Sequence, residues 1–140
     1  MMLKKTKKPN RKKVKDKAID AFQTYVRWRD SWTCIICKTV IDPFSDIAKM
    51  QMHAGHYLPR GIENTVFHEK NVNAQCRNCN GKEHWSQDKN PYALKLIEKY
   101  GPDILQELEN AKTQDHNYSI SDLQDIESKY LLLIEGLKQA

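Results

Sequence analysis

The chain has 140 residues, 39% apolar and 29% charged, which suits one domain with a modest core that a metal staple would strengthen. Its net charge of +5 is uneven: residues 1–17 carry nine Lys and Arg against one Asp, so the remainder is net acidic. No apolar run reaches the length of a membrane span, and no apolar stretch follows the basic start as a secretory signal requires, so a cytoplasmic protein is expected.

Residues 1–13 lack periodicity and read as a basic, disordered arm, with Arg11, Lys12 and Lys13 as candidate nucleic-acid contacts. A tail that only keeps the protein soluble has the same composition. From about Val14, Ala18, Ala21, Phe22, Tyr25 and Trp28 fall at helical spacing, and a helix is expected to about Arg29, within a segment 14–31. It is either a packing helix with a charged outer face or one that also lies along phosphates.

A region 32–90 forms the expected core. Cys34 and Cys37 make a first C-x-x-C knuckle, and Cys76 and Cys79 a second, with a gap of 38 residues between them. Four thiolates in two such pairs, in a chain without a secretory signal, fit one structural Zn²⁺. A redox dithiol has the same local spacing, but no βαβ pattern surrounds either pair. Four sulfur ligands leave no open position on the ion, so any catalysis needs other residues. Between the knuckles, Lys49 to Tyr57 reads as a strand, Pro59 to Asn64 as a loop, and Asn71 to Gln75 as a short extended segment. A helix is expected after the second knuckle.

The segment 91–140 reads as a helical extension. Asn90-Pro91 starts a helix, Gly101-Pro102 stops it, and Ile104, Leu105, Leu108 and Ala111 mark another. Ser121 and Gln124 resemble a capping box for a last helix striped by Leu123, Ile126, Tyr130, Leu133 and Leu137. That stripe either packs on a neighbouring helix or pairs with a second copy as a homodimer seam.

The polar residues of the core suggest chemistry. His56 precedes Pro59 in an H-x-x-P arrangement, and Asn71 lies five residues before Cys76. Asn80 and His84 share one face if a helix starts near Cys79, so they can converge on one ion. A neutral imidazole on the adjoining strand can take a proton from water. A divalent ion can polarise a phosphodiester. Arg60, Arg77 and Lys82 flank these residues and suit phosphates, although solvated charges look the same. Trp85 is expected to pack in the core more than to stack on a base. His68 and His116 read as solvent-facing.

These motifs resemble the HNH endonucleases of the His-Me finger group. More closely, the chain is similar to the phage recombination endonuclease family NinG, also called Rap. The resemblance is carried by Tyr25-Val-Arg-Trp-Arg-Asp30, the Cys34/Cys37 knuckle, Ala54-Gly-His-Tyr57 with Arg60-Gly61, Asn71 to Cys76, Cys79-Asn80, and Tyr92 through Gly101. It covers roughly residues 22 to 138 and implies an α+β fold. The implied core is a zinc-bound, treble-clef-like ββα-metal unit flanked by an N-terminal helix and C-terminal helices. It further implies cleavage of branched or single-stranded DNA in recombination intermediates. His56 would be the general base, Asn71 would order its loop, and Asn80 and His84 would hold a catalytic Mg²⁺ or Mn²⁺. One position departs from the pattern: Gly55 stands where many HNH enzymes carry Asp or His as a further ligand. His53, three residues before His56, is the candidate for the missing ligand, although regular strand alternation would point it to the opposite face unless Gly55 bends the chain. A zinc-stabilised DNA- or RNA-binding module without hydrolysis is the alternative.

Overall fold

The structure, a computed structural model, describes residues 9–140. Residues 1–8 of the expected basic arm lie outside the described part.

The first helix, α1, spans Arg11–Arg29, three residues earlier than the apolar stripe suggests. Asn10 sets this start, because its side chain accepts from the Lys12 amide at 3.0 Å and satisfies an otherwise orphaned N–H. Arg11, Lys12 and Lys13 therefore belong to the helix. Ser31 and Trp32 then turn the chain at positive φ into the first knuckle. A one-turn helix, α2 (Ala48–Gln51), precedes strand β1 (Met52–His56), so the strand is shorter than Lys49–Tyr57. A 3₁₀ turn at Glu63–Thr65 leads to β2 (Val72–Cys76), which pairs antiparallel with β1. His53 lies opposite Gln75, and Gly55 opposite Asn73. Four helices follow: α3 (Arg77–Ser86), α4 (Asn90–Tyr100), α5 (Ile104–Lys112) and α6 (Ile120–Lys138).

The hairpin is the centre of three small cores. One joins α1 and α6 to the sheet through Phe22, Val26, Ala54, Val72 and Tyr130. Phe22 and Tyr25 each lie within 5 Å of the Tyr130 ring, centroid to centroid. The second surrounds the knuckles with Trp32, Cys34, Met52, Ala74 and Cys76. The third holds α4 and α5 against the loop after β1 through Ile35, Leu58, Tyr92, Leu96, Ile104 and Leu108. All five residues of β2 are buried, because helices or knuckle cover both faces of the hairpin.

The C-terminal helix corrects two expectations. Its capping box is Ser119 with Asp122, each side chain bonding the other's backbone N–H at 3.0 and 2.9 Å, not Ser121 with Gln124. Its inner stripe is Leu123, Tyr130 and Ile134, with Ile126 half-buried, and Leu133 is exposed. The run Leu131-Leu132-Leu133-Ile134 is apolar throughout, so spacing alone does not say which member faces inward. The stripe packs on α1 of the same chain.

Buried polar side chains tie these parts together. The Tyr92 hydroxyl donates to the Gly55 carbonyl at 2.6 Å and accepts from the Asn73 amide at 3.1 Å, joining α4 to both strands. Asp30 accepts from the Ala74 amide at 2.8 Å and pairs with Arg29. Burial alone would raise Asp30, but the Arg29 bond and charge outweigh it and hold the carboxyl below its usual range. Arg29 also donates to the carbonyls of Glu69 and Val72 at 2.8 Å, so this residue of the Tyr25–Asp30 motif locks α1 to β2.

Candidate metal centre and adjoining cleft

The four cysteine sulfurs lie within 4.8 Å of one another. Cys37 and Cys76, from different knuckles, approach to 3.7 Å, matching the separation of about 3.8 Å between sulfurs of a tetrahedral Zn–S₄ centre. The first knuckle closes through the Lys38 amide on the Cys34 carbonyl at 3.0 Å, with Lys38 at φ 65°. The Ile35 amide donates to the Ala74 carbonyl at 2.8 Å and fastens that knuckle to β2. In the second, Cys76 is the N-cap of α3, its sulfur accepting from the Cys79 amide at 3.5 Å. Bonds from Thr39 draw the exposed Cys37 thiol down to about 6, whereas burial pushes Cys34 and Cys79 up. Enclosed thiols of this kind are relieved when a cation takes up their charge. The donor set fits a closed structural zinc site.

A cleft of about 770 Å³ opens beside this centre, between α1, β1 and α3. His53, Gly55, His56, Arg60, Asn80 and His84 all line it. His56 ends β1, and its Nε2 lies 3.1 Å from the Val66 carbonyl. A carbonyl can only accept, so Nε2 carries the hydrogen and Nδ1 keeps its lone pair. Burial lowers the His56 pKa, the charges of Arg60 and Lys89 lower it further, and the Val66 bond opposes them without reversing the sign. The lowered pKa favours the neutral form of the ring.

Asn71 is fully buried and does no proton chemistry here. It accepts from the Leu58 amide at 2.8 Å and donates to the carbonyls of Leu58 and Thr65 at 3.1 and 3.2 Å. These bonds fix the chain just after His56, and also the turn whose next residue, Val66, orients the imidazole. His53 sits on the same cleft as His56 despite strand alternation. Its Nδ1 is 2.9 Å from the Asn80 amide and its Nε2 is 3.0 Å from the Met50 carbonyl. Asn80 and His84, one turn apart on α3, face that cleft together. Among the described residues, the four-cysteine group is the one set of three or more His, Cys, Asp or Glu donors close enough to share an ion. The second set, His53, Asn80 and His84, offers two imidazoles and an amide.

The structure adds residues that spacing did not reveal. Glu83 is the sole carboxylate lining the cleft among the described residues, and its side chain is 10% exposed. It accepts from Gln75 Nε2 at 2.8 Å and forms an ion pair with Lys89, whose ammonium also reaches the His56 carbonyl at 3.3 Å. Gln75 fills the space beside Gly55: a Cβ built there would stand 2.0 Å from Gln75 Oε1. The absent side chain at position 55 is thus answered from across the sheet. Position 83 does have a sequence signal, lying three residues after Asn80 on one helix.

The remaining expected contacts divide. Lys12 and Lys13 are exposed, but Arg11 donates to Glu63 at 3.1 Å and to the Tyr118 carbonyl at 3.0 Å. Arg60, Arg77 and Lys82 are exposed. Trp85 is not a core residue: it is 90% exposed, in a shallow apolar groove beside Lys82, Arg77 and Pro91. His116 is exposed, whereas His68 is half-buried and its Nδ1 accepts from the Lys70 amide at 3.2 Å, a turn-making role.

A small α+β protein with a four-cysteine cluster that could bind a metal ion, next to a polar cleft, is what fold and site define. The family model described as Bacteriophage Lambda NinG protein matches residues 1–140, and the chain belongs to the NinG family. It is 28% identical over 125 residues to Protein ninG of Escherichia phage lambda, covering 88% of this chain and 56% of that relative. The same identity holds for Protein ninG of Escherichia phage 933W and of Salmonella phage P22, each covered over 57% of its length. The chain thus spans little more than half the length of these curated relatives. No solved structure matches it.

Gly55→Ala is expected to destabilise the fold by roughly 1–3 kcal/mol in urea denaturation, because Gln75 is anchored to Glu83 and cannot yield freely. Adding Gln75→Ala should make the double variant lose less than the sum of the two single losses. Unchanged stability in Gly55→Ala would refute the close approach.

Proposed function

We propose that the chain is a divalent-metal-dependent endonuclease of the HNH group that hydrolyses DNA phosphodiesters in branched recombination intermediates. The observation that carries the reading is His56: a half-buried imidazole with a fixed tautomer and a lowered pKa, lining a cleft rich in positive charge. Arg27, Lys49, Arg60 and Lys89 line that cleft against the single carboxylate of Glu83. Such a lining suits a polyanion. The order β1, β2, α3, with knuckles flanking the hairpin, follows the strand–strand–helix plan that the motifs imply.

In this reading His56 Nδ1 takes a proton from water, and the water oxygen forms the new bond to phosphorus. The bond from phosphorus to the 3′ oxygen breaks, and solvent protonates the leaving oxygen. The products are a 5′-phosphate and a 3′-hydroxyl. Asn71 holds the imidazole in place through the backbone. Lys89 and Arg60 stand beside His56 and neutralise the non-bridging oxygens. A Mg²⁺ or Mn²⁺ ion held by His53, Asn80 and His84 would supply charge neutralisation at the phosphate. The exposed indole of Trp85, with Lys82 and Arg77 alongside, suits stacking on an unpaired base near the cleft. Nothing in this arrangement reads base edges, so recognition by DNA shape fits better than recognition by sequence.

A non-catalytic zinc-stabilised binding module is the second reading. It is favoured by Gly55, which contributes no ligand where an acidic or imidazole side chain would complete the ion's shell.

His56→Ala should reduce Mn²⁺-supported cleavage of branched DNA by about 10²–10⁴-fold while leaving binding intact. Binding without cleavage by either protein would support the module instead. The base works only when neutral and its pKa is depressed. Cleavage should therefore fall as pH drops through a midpoint below 6.5, the ordinary histidine value, and be flat from neutral pH upward. An acid limb centred above about 7 would contradict the assignment. Trp85→Ala should cost about 1–3 kcal/mol of affinity for single-stranded DNA and far less for linear duplex. Equal losses on both would exclude stacking.

A further inference from the structure

Arg27 is a buried cation for which the fold supplies no counter-ion. It lies in the last turn of α1 and is 5% exposed, yet it lines the same cleft as His56 and Asn80. Its Nη2 donates to the Thr24 hydroxyl at 3.1 Å, and its guanidinium stands 5.6 Å from the centre of the Trp32 ring. Its Nε is enclosed and has no hydrogen-bond partner among the described residues. No carboxylate lies within ion-pair distance of Arg27 among those residues. The acid whose charge acts on it is Asp20, and that group is exposed and paired with Lys49 at 3.3 Å.

Arg29, two residues later, shows how this protein treats a structural arginine. It is bonded to the Asp30 carboxylate and to two backbone carbonyls. Arg27 receives none of this. A buried cation lacking an anion is costly, so its persistence at a cleft wall calls for an anion from outside. Burial also draws its pKa down, the direction expected of a cation left without a partner.

We propose that Arg27 is a phosphate-binding residue of the cleft, its guanidinium taking a non-bridging oxygen of a DNA phosphodiester. A planar guanidinium held on an indole face presents its N–H groups in fixed directions, which suits a tetrahedral oxyanion. This proposal rests on the cleft being a nucleic-acid site but not on cleavage. The competing role is purely structural, with Arg27 serving as packing for Trp32.

The two roles separate when binding and stability are measured together, in a His56→Ala background so that no DNA is cut. Arg27→Met keeps the length of the side chain and removes its charge. It should be at least as stable as its parent in urea without DNA, because an uncompensated charge has gone. Its DNA affinity should fall about 10- to 100-fold. The slope of log affinity against log salt should become shallower by about 0.9, the contribution of one phosphate contact. Arg27→Lys should retain that slope with weaker affinity. Unchanged affinity and slope in Arg27→Met would overturn the proposal, as would lost stability with the slope preserved. Should the Met variant fail to fold, the Lys variant decides: weakened binding with the slope kept supports the proposal, and unaltered binding refutes it. Failure of the nuclease reading would look different: the protein with His56 intact would not cleave DNA, while the Arg27 effect on binding would remain.

Discussion

The attachment of α3 is the constraint on which the site depends. This helix carries Asn80, Glu83 and His84, yet none of its ten residues is buried. An amphipathic helix normally stays in place by burying an apolar stripe, and α3 has none to bury. Beyond the polar bonds of Asn80 to His53 and of Gln75 to Glu83, what fixes it is at its N-terminus, where Cys76 ends β2 and Cys79 lies in the first turn. Both sulfurs converge on those of the first knuckle. A zinc ion there would bind three pieces at one point: the loop after α1, the end of β2 and the start of α3. The opposite wall of the cleft needs no metal, because α1 is clamped by Arg29 and by aromatic packing against α6.

Around that anchor the fold uses buried amides with little surface of their own. Asn71, Asn73 and Gln75 alternate along β2 and its approach, and all three are enclosed. Each serves a neighbour: Asn71 the loop after His56, Asn73 the Tyr92 hydroxyl, and Gln75 the carboxylate of Glu83. Gln75 Oε1 has no partner of its own, and it is the atom that forbids a side chain at position 55. The Gly55 departure is therefore coupled to Gln75 and Glu83 and is not an isolated loss. Negative charge reaches the cleft from α3 instead of from β1.

Much of this was legible in the chain, for local reasons. Paired C-x-x-C spacing predicts convergence of sulfurs, because short turns fix where both members of each pair point. Pro91 and Gly101 delimit α4 as their backbone preferences require, with Gly101 at φ 102°. Asn80 and His84 share a face because helical periodicity is strict. What was hidden depends on long-range packing. Arg27 and Arg29 look equivalent in sequence, and only the fold makes one a clamp and the other a cleft residue. Trp85 has a core composition but lies on a helix with no core side. His53 joins the cleft because α3 comes back across the strand, which alternation along β1 alone does not reveal. The capping box moved by two residues because Ser119 and Ser121 are equally good caps and the packing of α6 on α1 chooses between them.

A metal ion at the four cysteines, and not hydrophobic burial, would hold the N-terminus of α3 against the hairpin. Amide hydrogen exchange before and after removal of the metal by a chelator tests it most directly. The amides of Arg77–Ser86 should lose their protection when the ion is stripped, while those of α1 and α6, which pack through Phe22 and Tyr130, should keep theirs. Undiminished protection of α3 in metal-free protein would contradict the account.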